Sequence, residues 1–374
     1  MIGMKMLSCG RLDPLRWFKT ICICAIFLVA LQFFSLFWGR GIFDRAPHHI
    51  SGAFDGAATS DEGICRQHGW QPFSSTALQN ATSRRKVYDL IMINDELDWL
   101  EIRLNTTYDY VDYFVIVEAP QTFTGHSKPL TIKDNIERLT PWSPKIIYHL
   151  LEYPAGFNPK RAWDREDLQR DATFTQVFPK LQADQAPSWG DVIVVADVDE
   201  IPRPETLTVL RACEYPRRLT LRSRFYYYSF QFLHRGPEWA HPQATYFEGL
   251  RGTVKPTNLR NGDGGPQPLI YWDKADLWNA GWHCSSCFRT MDEFLNKMQS
   301  FSHTWMNGEE YRNKERIADR VRRGKDVWDR TRDQFDRIEG NKDVPQVLLE
   351  NPEKYRYLLN RDGPTAGFDD YNES

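Results

Sequence analysis

Asp191-Val192-Ile193-Val194-Val195-Ala196 is β-branched, almost wholly apolar, and runs straight into Asp197-Val198-Asp199-Glu200. A short apolar run with no alternation belongs to a strand buried on both faces, which is the situation inside a helix-covered parallel sheet. Two upstream stretches have the same character, Tyr88 to Asn94 and Tyr113 to Glu118. Between them Asp95 can cap a helix carrying Leu97, Leu100, Ile102 and Leu104, so the three segments read as a βαβ unit. Lys145 to Tyr148 is a candidate third strand and Arg161 to Phe178 a helix. Leu219 to Leu233, with its Tyr226-Tyr227-Tyr228 run, looks antiparallel, and charged helices follow from Asp292. The class is therefore α/β, with ligands expected at the carboxyl ends of the strands.

The chain has 374 residues, enough for one large α/β domain or two fused halves. Its 47 basic and 50 acidic residues are interspersed without a basic block, which excludes nucleic acid as an expected partner. Aromatic residues make up 14% of the chain, and their flat faces suit sugar rings as well as a core.

Ile21 to Trp38 is an apolar run of 18 residues interrupted only by Gln32 and Ser35. As a helix it spans roughly 27 Å, the thickness of an early secretory bilayer. Lys5, Arg11, Arg16 and Lys19 precede it and outweigh Arg40 and Arg45, so residues 1–20 are expected in the cytosol and the bulk in the lumen. A cleaved signal peptide would need small residues where Phe37-Trp38-Gly39-Arg40 stands. The sequons at Asn80, Asn105 and Asn372 agree with a lumenal body. Cys9, Cys22 and Cys24 fall in the tail or the membrane run. Cys65, Cys213, Cys284 and Cys287 fall in the lumenal part, an even number whose three possible pairings the sequence leaves open. A structural zinc site would want a second CxxC or a His pair, and only His283 adjoins. Residues 39–86 read as a stem and 87–374 as the folded domain.

Asp197 and Asp199 stand one residue apart where the most strand-like segment must end. Two carboxylates so placed can turn toward one hard cation, Mn²⁺ or Mg²⁺, which takes its other ligands from substrate phosphates. Such a site neutralises a leaving diphosphate. An aspartyl phosphohydrolase also sets a DxD after a strand, but with small residues and a hydroxyl where Glu200-Ile201-Pro202 stands here.

The order of several stretches resembles glycosyltransferase family 17, the β-1,4-mannosyl-glycoprotein 4-β-N-acetylglucosaminyltransferase family. They are Tyr88 to Asp98, Phe114 to Ala119, Gln169-Arg170-Asp171-Ala172, Asp197 to Pro202, Ala280 to Phe288, and Tyr355 to Leu359. The resemblance implies a GT-A-like, Rossmann-type mixed sheet flanked by helices and preceded by one transmembrane helix. It implies use of UDP-N-acetylglucosamine, a divalent metal and inversion, with a protein N-glycan as acceptor, and with the type II topology read from the charge flanks the expected location is the Golgi membrane. On it, Asp197 and Asp199 hold the metal, Glu200 orients a ligand or water, and His283 is a possible third metal ligand. The fold places Asn94 and Glu118 beside the uridine, and Arg170 and Asp171 on a helix facing the donor. The stretch from Cys213 to Asp276 matches loosely, leaving the acceptor pocket and the general base open among Glu248, Asp273 and Asp276. Glu293 belongs to a Thr290-x-x-Glu293 capping box instead. Transfer from another donor, or an idle lumenal glycan-binding protein, are the competing readings.

Overall fold

The computed structural model describes residues 60–74, 84–300 and 304–372. The expected tail, the membrane run 21–38, the Asn80 sequon, Cys9, Cys22 and Cys24, and much of the stem lie outside the described residues. Among the described residues no helix is long and apolar enough to cross a membrane.

The centre of the fold is β1 (Val87–Met92), all six residues of which are buried. It lies parallel between β2 (Tyr113–Glu118) and β4 (Val192–Asp197), and β3 (Ile146–Leu150) continues in parallel beyond β2. Alternate side chains serve opposite faces, as a two-residue repeat requires. Val87, Ile91, Phe114, Ile116, Val192 and Val194 pack on one face, with Leu100 and Leu104 of α2 (Leu97–Thr107). Tyr88, Leu90, Val115, Val117, Ile193 and Val195 pack on the other, with Ala172 and Phe174 of α3 (Ala162–Thr175). Burial on both faces is why the sequence of these strands shows no polar alternation. One strand stops short of its expected end: β1 finishes at Met92, leaving Asn94 in the loop. The expected Asp95 cap is absent too. Glu96 is the N-cap of α2, and its carboxylate turns back to accept from the backbone N–H groups of Asn94 (3.0 Å) and Asp95 (3.1 Å).

Beyond β4 the sheet becomes mixed. β5 (Glu200–Pro202) follows at once, and α4 (Pro204–Ala212) starts with Pro at its first position. β6 (Arg218–Tyr227), β7 (Ser229–His234) and β8 (Gln243–Tyr246) are antiparallel, as the aromatic run suggested, and β8 docks antiparallel on β4. β9 (Lys274–Ser285) pairs with β5 on one side and β6 on the other. A short β10 (Phe335–Arg337) closes on β7.

A separate apolar cluster joins the end of β6 to α6 (Met291–Ser300) and α7 (Lys314–Arg322), with Phe294, Met298, Ile317 and Trp328 inside it. The capping box forms at the start of α6: Glu293 N–H donates to Thr290 Oγ1 and Thr290 N–H to Glu293 Oε2, each 3.1 Å. The cysteine pairing is settled as Cys65–Cys213, which ties α1 (Asp61–Gln67) to the end of α4, and Cys284–Cys287, just after β9.

Candidate active site

From β1 the chain moves outward to β2 and β3, then returns to lay β4 on the opposite side of β1. At such a reversal the loops leaving neighbouring strands diverge and open a crevice outside their carboxyl ends. Met92 and Asp197 are register partners there. The loops that follow, with Asn94 and Glu96 after β1 and Asp199 after β4, line a cavity of about 270 Å³. His283 of β9, Lys297 of α6 and Trp239 form other parts of its wall.

A buried cation shapes the acidic turn from behind. Arg103 of α2 is fully buried and grips Asp89 in the middle of β1 with two bonds of 2.6 and 2.7 Å. Its remaining nitrogen donates to the carbonyls of Asp197 (3.2 Å) and Glu200 (2.6 Å). The turn between β4 and β5 is thus fixed through its backbone, which leaves its carboxylates to be arranged from the front.

Arg260, on α5 (Pro256–Asn261), supplies that arrangement. Its Nη1 and Nη2 each bond a different oxygen of Glu200 at 2.8 Å, and Nη2 also reaches Asp197 Oδ2 at 2.8 Å. Glu200 accepts further from Trp239 Nε1 (2.8 Å) and from the Asp197 backbone N–H (3.0 Å). Burial pushes the Glu200 carboxyl up, but the charge and hydrogen bonds of Arg260 override it and hold the group well below the usual range. Asp197 Oδ1 faces Arg170 Nη2 at 3.4 Å, and Arg170 is anchored to Glu166 at 2.7 Å.

Asp199 differs from its neighbours. Its side chain is 21% exposed, and His283 Nδ1 lies 3.7 Å from its carboxylate. Burial pushes its carboxyl up to about 6, Glu200 and Asp197 push the same way, and His283 and Lys297 oppose them. The His283 ring is stacked between Trp239 (centroids 4.7 Å apart) and Phe225 (5.1 Å). Lys297 pairs with Glu96 at 3.2 Å; burial disfavours its charge, but Glu96 and Asp199 more than restore it.

The expected three-ligand set of Asp197, Asp199 and His283 is not assembled. Among the described residues no group of three or more His, Cys, Asp or Glu is placed to hold a metal ion. The physical reason is Arg260, which occupies Asp197 and Glu200. What remains fits a cation that takes one protein carboxylate, Asp199, and draws its other ligands from phosphate oxygens and water.

The other expected residues divide cleanly. Asn94 lines the cavity, and its carbonyl accepts from Lys128 Nζ at 2.6 Å. Glu118 does not line it. β2 ends one strand outward from the reversal, and there Glu118 accepts from the N–H groups of Ile132 (2.9 Å) and Lys133 (3.2 Å) and from the Tyr148 hydroxyl (2.7 Å). Asp171 also lies off the cavity, accepting from Thr257 N–H at 2.8 Å and so fixing the start of the helix that carries Arg260. The base candidates are elsewhere and engaged: Glu248 pairs with Arg217 (2.6 Å), Asp273 accepts from Arg217 N–H (3.0 Å), and Asp276 pairs with Arg222 (2.8 Å). Sequence reasoning missed Arg260, Trp239, Lys297 and Asp333, none of which stands in a recognisable motif.

An α/β domain with an acidic turn beside a cavity at a strand reversal is the architecture in which nucleotides are commonly bound. The model of glycosyltransferase family 17 matches residues 15–363, and the chain belongs to that family. The β-1,4-mannosyl-glycoprotein 4-β-N-acetylglucosaminyltransferases of Rattus norvegicus and Homo sapiens are 26% and 25% identical over 307 residues. The match covers 74% of this chain and 54% and 55% of theirs, so the chain spans about half the length of these curated relatives. A mannosyltransferase from Pyrobaculum calidifontis, solved with GDP-Man and Mn²⁺, aligns over 65% of each chain at 11% identity with a TM-score of 0.33.

Proposed function

We propose that this chain is an inverting glycosyltransferase on a GT-A-like fold. It moves N-acetylglucosamine from UDP-N-acetylglucosamine to a mannose hydroxyl of a protein N-glycan, in β-1,4 linkage, at the lumenal face of a Golgi membrane anchored by residues 21–38. The observation that carries this reading is the position of Asp199. It is a half-buried carboxylate at the strand reversal that no guanidinium grips, while its two acidic neighbours are both held by Arg260. That leaves its oxygens open to a cation that arrives with the ligand. The names of the relatives support the choice of donor and acceptor.

In this reading Asp199 holds the divalent ion, and Arg260 keeps Asp197 and Glu200 from competing for it. When bound, Mn²⁺ or Mg²⁺ supplies positive charge to the departing diphosphate. Lys297, across the cavity, adds a fixed cation for the same charge. Trp239, Phe225 and His283 form a stacked wall that excludes water. The acceptor oxygen forms a bond to the anomeric carbon from the face opposite the diphosphate. The bond from that carbon to the diphosphate oxygen breaks, its electron pair leaves with UDP, and the hydroxyl proton passes to a carboxylate.

The test is turnover by the detergent-solubilised full chain across UDP- and GDP-sugars, with and without Mn²⁺, on a mannose-terminated N-glycan. UDP-N-acetylglucosamine should be consumed with formation of a product one N-acetylhexosamine heavier. Consumption of a different donor would overturn the donor assignment. Binding of the glycan without turnover of any donor would overturn the enzyme reading.

A further inference from the structure

Part of the cavity wall is aromatic: Phe225, Tyr227, Phe288 and Trp328 line it, together with Arg330 and Asp333. The polar atoms of this aromatic wall are already used by the protein. The Tyr227 hydroxyl accepts from Arg330 Nη2 at 2.9 Å, and Trp328 Nε1 donates to the Met306 carbonyl at 3.0 Å. What these rings offer a ligand is therefore apolar surface, which packs against the C–H faces of a pyranose. Tyr227 is held by Phe335 (4.8 Å, stacked) and Trp328 by Phe294 (6.1 Å, stacked), so the surface is preformed.

Resting on the glycosyltransferase reading above, we propose that this aromatic wall is the acceptor-sugar subsite and that Asp333 is the base that takes the proton of the attacking hydroxyl. Five carboxylates line the cavity: Glu96, Asp197, Asp199, Glu200 and Asp333. Glu96 is spent on Lys297 and two backbone N–H groups. Asp197 and Glu200 are held by Arg260, and Asp199 is the carboxylate assigned above to the metal. Asp333 is the lining carboxylate tied to the aromatic wall, through Arg330 to Tyr227 and through His234 to Phe225, and its side chain is 26% exposed.

Its surroundings hold it in place without cancelling its charge. Oδ2 lies 3.0 Å from Arg330 Nε and Oδ1 lies 3.3 Å from His234 Nε2. Arg330 is shared with Asp326, whose carboxylate it grips at 2.6 and 3.1 Å. One guanidinium thus serves two carboxylates, so Asp333 shares its cation with Asp326. His234 acts as a positioning residue. Its ring is packed on Phe225 (4.8 Å) and Phe335 (6.0 Å), which fixes the Nε2 to Asp333 contact. In the reaction the acceptor O–H bond breaks with its proton going to Asp333. The oxygen bonds the anomeric carbon, and the electron pair of the old glycosyl bond leaves with UDP.

The experiment compares Asp333→Asn, Asp333→Ala and the distant Asp276→Asn with wild type, in the full chain with Mn²⁺. Transfer to the glycan should fall about a hundredfold or more in both Asp333 variants, the range expected for loss of a general base. Their affinity for UDP should stay within about twofold of wild type, and Asp276→Asn should transfer normally. Azide has no proton to lose. With Asp333→Ala, azide should therefore attack the anomeric carbon, displace UDP and give the glycosyl azide at a rate well above the same variant's glycan transfer. Near wild-type glycan transfer by Asp333→Asn would overturn the assignment, as would an Asp333→Ala protein that binds UDP but turns over azide no faster than glycan. Absence of transfer by wild type with every donor would instead sink the underlying glycosyltransferase reading.

Discussion

Arg260 is the residue on which the acidic turn depends. It bonds two carboxylates at once and is itself only 10% exposed, so its removal leaves Glu200 buried with a charge and no cation, held only by Trp239 Nε1 and the Asp197 backbone N–H. Breaking a buried pair from one side costs about 3–5 kcal/mol. Arg260→Met should therefore lose stability of that order in urea unfolding. A loss below about 1 kcal/mol would show that the pair is solvated rather than buried. Asp95 gives a pH prediction of definite sign. Burial and the neighbouring Glu96 push its carboxyl from 3.8 up to about 6, against Lys297 and Lys128. Between those values the folded chain binds more protons than the unfolded one, so this group makes the protein less stable as pH rises through the window. Asp95→Asn lacks that slope and keeps an oxygen for Asn296, which Asp95 Oδ2 now bonds at 2.5 Å. Its Tm advantage over wild type should be near zero at the lower value and full above the upper one. An advantage that shrinks with rising pH contradicts the assignment.

At the scale of elements, β1, β2 and β4 were legible because burial on both faces writes itself into sequence as unbroken apolar runs. β3 was legible as well, but the partners of β4 and β5 were not. β8 lies beside β4 and β9 between β5 and β6 through long-range pairings with no local signature. The same limit explains the site. A strand end announces Asp197, Asp199 and Asn94, but not which side of the sheet the crevice opens on, so Glu118 and Asp171 were drawn in although they cap and brace. Arg260 reaches Glu200 across 60 residues from a helix in the loosely patterned stretch, where no spacing rule applies. The disulfides allow a quantitative contrast. Cys65–Cys213 closes 148 residues, and the chain-entropy estimate gives it of order 5 kcal/mol, whereas Cys284–Cys287, three residues apart, gives about 2 kcal/mol. Replacing each pair by serines and measuring the denaturation midpoint should show the larger loss for Cys65 and Cys213. The reverse order would mean that α1 is not held to α4 in solution.

At the scale of the whole molecule, the parallel half of the sheet provides a fixed turn, and the antiparallel half with α6 and the Trp328 to Asp333 segment provides other parts of the cavity wall. The same chain is expected to carry its anchor at residues 21–38, and protease treatment of sealed microsomes checks this: the body should survive and the tail should not. Degradation of the body in intact vesicles would rule out a lumenal domain. The central claim is that Asp199 supplies the protein's carboxylate to a metal-bound diphosphate. Asp199→Asn keeps the shape, removes the charge, and relieves an unfavourable burial, so Tm in the absence of metal should be unchanged or higher. Losing roughly 4 kcal/mol of transition-state stabilisation slows transfer about a thousandfold. The decisive measurement is Mn²⁺-dependent transfer and Tm on one preparation of Asp199→Asn beside wild type. The account predicts transfer lost with the fold retained, and transfer at near wild-type rate, or a collapse of Tm that accounts for the lost activity, would contradict it.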